Sequence, residues 1–376
     1  MNDRLNHLTT NPPTVPKRIL IVLNGAIGDV VRALPLLGRI RRGFPDAHIA
    51  WAVEPKSAPI LEAHPWLDEI ILYDRRRAPW SFASFLKRIY DGGFDLAIDL
   101  QRHLKSGLIA MVSRAQDRIG FSAENTKEGN HRFSTRRIAP QPELRLKLLQ
   151  YQAFGDLLGL PATPIEFGLA ASYAERERAR DLLKDAPRPL LGVILGSSWP
   201  SRLYFPKSIA AVIRGVADRN SVNGDGPALF PILLGGPEEI GFASEVMREL
   251  GGLGALNLAG KTSIRDLIAI FPECEVAFGP DSGPMHIAAA VGCPVVSLWG
   301  STSPLRSAPW GFDQFAIVGE IPCHPCYLRK CPVGRECMRR IAPETVIDAI
   351  RRACSIDQRT HHSSQIVAPN GAGVSR

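Results

Sequence analysis

A tight turn between two apolar runs constrains this chain more than any other feature. Residues 276–300 read VAFGPDSGPMHIAAAVGCPVVSLWG. The first apolar run breaks at Gly279-Pro280, a helix restarts around Pro284, a second break falls at Gly292, and another apolar run covers 294–299. Strand, turn, helix, turn, strand is one parallel βαβ unit, since parallel strands need a crossover and a helix supplies it. Asp281 or Ser282 can cap that helix, and Pro284 suits its first turn, where a missing N–H costs nothing. The loop Asp281-Ser282-Gly283 then presents free backbone N–H donors at the positive end of a helix dipole, a site suited to phosphate. Capping alone accounts for the Asp, Ser and Pro. It accounts less well for the small residues and for His286 one turn in, at the carboxyl end of a strand, where α/β folds place ligands.

The same alternation runs through the rest of the chain. Residues 17–23 (KRILIVL) form a continuous apolar strand, as expected for a parallel strand buried on both faces. Asn24-Gly25-Ala26-Ile27-Gly28-Asp29 follows, opening an apolar-periodic helix through about Arg42. This start lacks both GxGxxG and the Walker Gly-Lys-Ser/Thr, which argues against a dinucleotide oxidoreductase. It carries Asp29 instead, either a helix-dipole partner or a carboxylate at the top of the sheet. Strand-like runs recur at 48–53, 69–73, 95–100 and 118–121, with helices expected near 56–63, 80–90 and 104–113. Residues 122–137 (SAENTKEGNHRFSTRR) show no periodicity, and a loop of that length is expected to be functional or disordered. A helix is expected at 143–158 and a crossover at 161–189. A second alternation follows from Leu190, through the small-residue loop 196–202 with Arg202, a helix at 206–219, a strand at 229–234, the turn Gly235-Gly236-Pro237-Glu238-Glu239, and a helix capped near Thr262 or Ser263. The expected fold is α/β, with two doubly wound Rossmann-like domains, 17–165 and 188–354, facing across a cleft.

A length of 376 residues with 45% hydrophobic content suits two such domains. No apolar stretch reaches about 18 residues, so no membrane span is expected. Residues 1–16 lack the apolar core of a signal peptide, and 355–376 are polar and Gly-rich; both are expected to be loose tails of a cytoplasmic protein. Seven cysteines, an odd number in such a chain, do not suggest disulfide stapling. The net charge of +8 is clustered at Arg39, Arg41 and Arg42, at Arg75, Arg76 and Arg77, at Arg136 and Arg137, at Arg339 and Arg340, and at Arg351 and Arg352. Such clusters are either solvated faces or patches for an acidic substrate or an anionic membrane face. No nucleic-acid module is present, so no nucleic-acid partner is expected.

Taken together, GAIGDVVRALPLL, FDLAIDLQ, GGPEE, LAGKTSIRDL and GPDSGPMHIAAAVGCPVVSLWG resemble the lipopolysaccharide heptosyltransferases over about residues 17–352. The resemblance implies an inverting, metal-independent glycosyltransferase of the GT-B fold that moves heptose from ADP-L-glycero-D-manno-heptose to the inner core. It places the general base on Asp29. It places the donor site on Asp281, Ser282, Gly283, Pro284, Met285 and His286, on Arg202 where many members have Lys, on Glu238 or Glu239 for the ribose, and on Gly260 and Lys261 beside the adenine. The chemistry suits these residue types. One ionised Asp takes the acceptor hydroxyl proton, and ADP leaves without protonation as N–H donors, Arg202 and His286 stabilise its charge. No cofactor is then needed for catalysis.

On the acceptor side, Arg75, Arg76, Arg77, Lys127, His131, Arg132, Arg136 and Arg137 suit an anionic lipid-linked oligosaccharide such as Kdo-lipid A or a phosphorylated core. That acceptor implies peripheral association with the cytoplasmic face of the inner membrane. Cys323, Cys326, Cys331 and Cys337 fall within fifteen residues, either a structural Zn or Fe site or reduced thiols in a tight Pro/Gly-rich loop. Protein-heptosylating relatives carry an iron-holding cysteine finger, so a protein acceptor is the neighbouring alternative. A sugar-nucleotide-binding protein without catalysis is the other, and the presence of Asp29 counts against it.

Overall fold

The computed structural model describes residues 15–74, 79–217 and 228–355. The expected tails, apart from residues 15, 16 and 355, lie outside the described residues, as do Arg75, Arg76 and Arg77. The first half contains β1 (Arg18–Val22), α1 (Ile27–Gly43), β2 (His48–Val53), β3 (Glu69–Leu72), α2 (Pro79–Asp91), β4 (Leu96–Asp99), α3 (Leu104–Val112), β5 (Asp117–Gly120) and β6 (Arg136–Arg137). Its six strands are all parallel, in the order β3-β2-β1-β4-β5-β6. Two helices follow, α4 (Lys147–Leu157), which packs on α1, and α5 (Tyr173–Leu183).

The second half contains β7 (Leu190–Ile194), α6 (Pro206–Ala217), β8 (Phe230–Leu234), α7 (Ile240–Leu250), β9 (Leu256–Asn257), α8 (Ile264–Ile270), β10 (Cys274–Pro280), α9 (Gly283–Ala290) and β11 (Val295–Trp299). It ends with α10 (Pro304–Ser307), β12 (Ala316–Val318), α11 (Glu336–Arg339) and α12 (Pro343–Cys354). Its sheet is also six-stranded and parallel, in the order β12-β11-β10-β7-β8-β9. Counted from its own first strand, this is the order of the first sheet. Each sheet reverses direction between its first and fourth strands, and such a switch point opens a crevice at the carboxyl ends of those strands. The loops after β1 and β4, and after β7 and β10, flank these two crevices.

The apolar runs are buried on both faces. In β1, Ile19 and Ile21 join one core and Leu20 and Val22 the other, all fully inaccessible. Where the structure departs from the sequence reading, a competing interaction explains it. Residues 56–63 form only the 3-10 turn Ala58–Ile60, because Pro59 and Pro65 interrupt any longer helix. The 161–189 crossover contains α5, opened by a capping box in which the Ser172 hydroxyl and the Glu175 carboxylate bond each other's backbone N–H. The aperiodic 122–137 loop is ordered by polar contacts instead of apolar period. Asn130, wholly buried, donates to Asp99 Oδ2 at 2.8 Å and to the His103 carbonyl at 2.8 Å, and the Ser106 hydroxyl also donates to Asp99 Oδ2, at 2.9 Å. Burial pushes the Asp99 carboxyl up to about 7 against these bonds. Arg39 and Arg41 are not patches. Arg39 is buried and donates to the carbonyls of Pro161, Gln152 and Leu160, and Arg41 to those of Trp66, Pro45 and Ala47.

A guanidinium also ties the halves together on the side of α5. Arg265 of α8 meets both carboxylate oxygens of Glu175, at 2.7 and 2.8 Å, and donates to the carbonyls of Ala170 and, in the first half, Glu62. Its hydrogen bonds outweigh burial and bring the Glu175 carboxyl down to about 2. A depressed folded-state pKa gives stability that is present above the unfolded value of about 4.3 and is lost as pH falls toward 2. Arg265→Ala should therefore cost about 1–3 kcal/mol at neutral pH, measured by urea unfolding. The gap between variant and wild type should narrow as the pH is lowered from about 4.3 toward 2.

Candidate active site

Asp29 sits in the first turn of α1, at the crevice of the first sheet. Its Oδ1 accepts from Arg32 Nη2 at 2.6 Å, one turn along the same helix, and from Lys147 Nζ of α4 at 2.7 Å. Burial alone would raise this carboxyl, but Lys147 and Arg32 outweigh burial and hold it well below the usual carboxylate range. Neither contact uses Oδ2, so one oxygen is anchored while the other remains available to a proton.

Arg32 is itself buried, and its Nη1 donates to Nε2 of His286 in the second half at 2.6 Å. A guanidinium has no acceptor, so His286 must accept here and is a neutral imidazole carrying its proton on Nδ1. Burial and the Arg32 charge keep His286 from protonating. The expectation that His286 donates to the departing diphosphate is thus corrected at Nε2, which Arg32 occupies. Two glycines allow this approach. A Cβ on Gly28 would come 2.7 Å from His286 Cδ2, and one on Gly283 would come 2.8 Å from Ile27 Cβ. These glycines serve the close packing of α1 on α9, which lacks room for any side chain there.

At the second crevice, Asp281 and Ser282 do not cap α9 through their side chains. Ser282 is the N-cap residue but makes no capping bond, and its buried hydroxyl has no partner. Asp281 accepts from the Thr302 hydroxyl at 2.8 Å and pairs with Arg202 at 3.0 Å. The Ser197 hydroxyl donates to the Asp281 carbonyl at 2.8 Å, binding the two loops together. Arg202 lies over the Trp199 ring at 4.2 Å, and its Nε has no partner. The start of α9 thus has a buried, unpartnered hydroxyl on Ser282 and an adjacent guanidinium, Arg202. Pro284 occupies the first turn, and Met285 is buried beneath it as core.

Of the two ribose candidates, Glu238 is exposed, whereas Glu239 accepts from Gly236 N at 2.8 Å and lies where a Cβ on Gly196 or Gly235 would sit. Gly260 takes a positive φ of 74°, with its N–H bonded to the Gly235 carbonyl at 2.9 Å, so the adenine-side turn docks on the ribose-side turn. Lys261 is exposed beside it. Lys127 and Arg132 are exposed on the ordered loop, His131 bonds Thr126, Arg136 pairs with Asp117, and Arg137 is exposed on β6.

Several residues at the site carried no local signal. Arg32 could have been found at i+3 from Asp29, a spacing that brings helix side chains together. Lys147, Gln150 and Tyr151 share one face of α4 at i, i+3 and i+4, but the chain gives no hint that this face meets α1. Arg102, after β4, bonds Gln150 and lies over Phe121 at 4.2 Å. Arg306 of α10 lies 5.7 Å from the Tyr327 ring.

Of the two readings of the cysteine segment, a structural Zn or Fe site and reduced thiols in a tight loop, the structure does not support the metal. Among the described residues, no group of three or more His, Cys, Asp or Glu is arranged to hold a metal ion. The thiols of Cys323, Cys326 and Cys331 lie within electrostatic reach of Cys337. Cys337 is buried where a Cβ on Gly300 would meet its sulfur at 2.8 Å, Cys331 accepts from Arg335 N at 3.2 Å, and Cys323 is exposed. The loop is instead a strap. Tyr327 N bonds the Ser301 carbonyl at 2.8 Å, the Leu328 carbonyl accepts from Ser201 at 2.6 Å, and His324 donates to the Gly300 carbonyl. It thereby delivers Tyr327 to the site.

Two parallel six-stranded Rossmann-type halves facing each other are the GT-B fold. Residues 82–336 match glycosyltransferase family 9 (heptosyltransferase), and the chain belongs to that family. It is 27% identical over 298 residues to the lipopolysaccharide core heptosyltransferase OpsX of Haemophilus influenzae, covering 78% of this chain and 82% of that one. It is 26% identical over 328 residues to lipopolysaccharide heptosyltransferase 1 of Pseudomonas aeruginosa, covering 84% and 87%. In fold it is similar to a family 9 glycosyltransferase from Veillonella parvula, with a TM-score of 0.73 at 21% identity over 90% of this chain and 97% of that one. The E. coli ADP-heptose lps heptosyltransferase II gives 0.69 at 19% identity, covering 90% and 98%. Family and fold together make the protein a glycosyltransferase.

The α1–α9 contact makes a direct prediction. Gly28→Val should force α1 away from His286 and lower stability by about 1–3 kcal/mol through overpacking. Gly241→Ala, where a Cβ meets nothing within 4 Å, should stay within about 0.5 kcal/mol of wild type. Urea midpoints for the two variants decide it.

Proposed function

We propose that the protein transfers heptose from ADP-L-glycero-D-manno-heptose to the inner core of lipopolysaccharide, with inversion and with Asp29 as general base. The observation that carries this reading is the half-engaged carboxylate. Oδ1 is held by Arg32 and Lys147 while Oδ2 is left open, across the cleft from a helix start with an unpartnered serine hydroxyl. The acceptor hydroxyl oxygen bonds to the anomeric carbon, its proton passes to Asp29 Oδ2, and the bond from that carbon to the β-phosphate oxygen breaks. ADP takes the electron pair. The N–H groups opening α9, the Ser282 hydroxyl and Arg202 receive the charge that develops on the diphosphate. These donors supply the electrostatic stabilisation a metal would otherwise give, so the proposed mechanism uses none. Glu239 and the Gly260-Lys261 turn border the nucleoside.

A solved E. coli heptosyltransferase of this fold, WaaC, is in complex with ADP, and another WaaC structure holds ADP-2-deoxy-2-fluoro heptose. The lipopolysaccharide core is what the OpsX relative's name specifies. The protein-acceptor alternative rests on the cysteine quartet, which does not gather as a metal-holding group, so the lipopolysaccharide reading is favoured. The exposed cations Lys127 and Arg132 suit an anionic lipid-linked acceptor such as Kdo-lipid A. No helix among the described residues is long and apolar enough to cross a membrane. We place the enzyme at the cytoplasmic face of the inner membrane through that acceptor.

Asp29→Ala should bind ADP normally yet lose transfer by about 10²–10⁴-fold, the usual worth of a positioned base. ADP release from ADP-heptose, with and without heptose-deficient lipopolysaccharide, is the measurement. Turnover near wild type would remove Asp29 as base. Transfer by wild type should also persist in EDTA, and its abolition without unfolding would overturn the metal-free step.

A further inference from the structure

Large apolar side chains that face water singly are ordinary, but here they gather on one pair of helices. On α3, Leu104, Leu108 and Met111 stand at i, i+4 and i+7 and so line one face. The rest of α3 is covered. Ile109 and Ala110 are buried against the sheet, and the Ser106 hydroxyl donates to Asp99. The flank at Gly107 is closed by Phe133, whose Cδ2 a Cβ there would meet at 2.6 Å. α2 packs beside α3 on the same side of the sheet and repeats the pattern. Its Phe85 and Ile89 enter the core, while Phe82 and Tyr90, with the partly buried Leu86 between them, follow at four-residue steps. Leu104, Leu108, Met111, Phe82 and Tyr90 lie between 39% and 51% exposed, too open to belong to the core.

Charge frames these apolar stripes. Arg114, just past the end of α3, lies over the Tyr90 ring at 5.0 Å and donates to its hydroxyl at 3.0 Å. That contact joins the two helices into one surface. Lys105 is exposed beside Leu104 at the other end. Among the described residues, neither Lys105 nor Arg114 has a carboxylate within salt-bridge distance. On α2, Lys87 and Arg88 are offset by Asp91 and Glu69. The acid nearest the start of α3, Glu128, accepts from the Leu104 N–H at 3.1 Å and lies 3.7 Å from His103. The face is therefore apolar along its middle and cationic at its ends. Its position matters too: α3 starts from the loop after β4, so the stripe begins at the edge of the first crevice.

We infer that the outer face of α2 and α3 seats the protein directly on an anionic lipid bilayer. Leu104, Leu108 and Met111 enter among the headgroups, and Lys105 and Arg114 meet the lipid phosphates. The inference rests on the proposed reaction for its purpose and deepens it: the protein's own surface, and not the acceptor alone, makes the attachment. A bilayer interface offers both things this face is built to meet, hydrocarbon and negative charge. Long Lys and Arg stems can pass apolar neighbours and keep their heads among phosphates. Tyr90, with an apolar ring and a polar tip, suits the same boundary. A second copy of the chain fits less well. A two-fold contact would set the unpaired cations at both ends of one stripe against those of the other. With α3 on the bilayer, the edge of the crevice lies at headgroup level, and a lipid-linked sugar would reach Asp29 without leaving its leaflet.

The test is co-sedimentation with vesicles of phosphatidylethanolamine and phosphatidylglycerol that contain no lipopolysaccharide, beside vesicles of phosphatidylcholine alone. Wild type is compared with the pair Leu108→Gln and Met111→Gln, and with the pair Lys105→Glu and Arg114→Glu. Tyr173→Gln, which changes an exposed ring on α5, serves as the control. The apolar pair should weaken binding to anionic vesicles by about 10- to 100-fold. The charge-reversed pair should weaken it by at least about 30-fold, with little change on phosphatidylcholine. High salt should reproduce the charge-reversal effect in wild type. Tyr173→Gln should bind vesicles as wild type does, and every variant should keep its ADP Kd within about twofold. Wild type that stays in the supernatant, binding that appears only with lipopolysaccharide present, or equal binding by all variants overturns the inference. So does a concentration-dependent dimer in sedimentation velocity that the apolar pair abolishes, which would give the face to a second copy. Vesicle binding by a wild type that releases no ADP from ADP-heptose keeps the surface and sinks the proposed reaction. Transfer without vesicle binding does the reverse.

Discussion

The bridge through Arg32 is the contact on which the site depends. A guanidinium only 8% exposed cannot remain uncompensated, and here its two ends are satisfied by groups from different halves of the chain. Nη2 holds the Asp29 carboxylate and Nη1 holds the His286 imidazole. The same guanidinium therefore orients Asp29, the proposed proton acceptor, and registers the position of α9. Both bonds require α1 and α9 to meet at their first turns, and Gly28 and Gly283 leave the space in which they do. Base geometry and closure of the cleft are in this way one structural fact.

That arrangement has an electrostatic consequence. Two cations on a single carboxylate oxygen keep Asp29 ionised, but they also make it a weak base. A weak base is tolerable when the leaving group departs without needing a proton, because the hydroxyl becomes acidic as its oxygen bonds to carbon and the acceptor proton is transferred late. In the proposed reaction an arriving diphosphate would further offset the local positive field and return basicity to Asp29. Neutral His286 suits this setting, since a further imidazolium would deepen the cationic excess that already surrounds the carboxylate.

Much of the fold was legible because parallel strands buried on both faces announce themselves as short apolar runs between glycine and proline breaks. The first-half strands and the β10–α9–β11 unit follow that rule. The helix at 56–63 failed because periodicity was read across Pro59 and up to Pro65, and α5 was passed over although its Ser-x-x-Glu capping signal was present. The order of the 122–137 loop was illegible for a different reason. It depends on Asn130 reaching a buried Asp99 from 31 residues away, and no period encodes such a contact. In the site, Asp29, Arg202 and the Asp281–His286 turn were readable from local chemistry. Lys147, Arg102 and Arg306 were not, since each lies at an ordinary position on its own element and gains meaning only from what packs against it. The cysteines left two readings open, since close spacing alone does not distinguish ligation from a tight loop, and the loop uses its backbone to strap Tyr327 into place.

The matched strand order of the two sheets gives these residues a shared logic. The loop after the first strand supplies an acid, Asp29, in one half and a cation, Arg202, in the other. The loop after the fourth strand supplies a cation, Arg102, in the first half and an acid, Asp281, in the second. Equivalent places in two similar scaffolds thus carry opposite charges. Facing each other, the crevices attract instead of repelling, and each acid has a cation close at hand: Arg202 for Asp281 at 3.0 Å, and Arg32 with Lys147 for Asp29. The cations in excess of that pairing are Arg306 of α10 and Arg102 of the β4 loop, for which no carboxylate lies within salt-bridge distance among the described residues. Duplicated topology sets where the loops meet, and in the proposed reaction the choice of acid or base within each loop decides which side receives the phosphate and which the attacking hydroxyl.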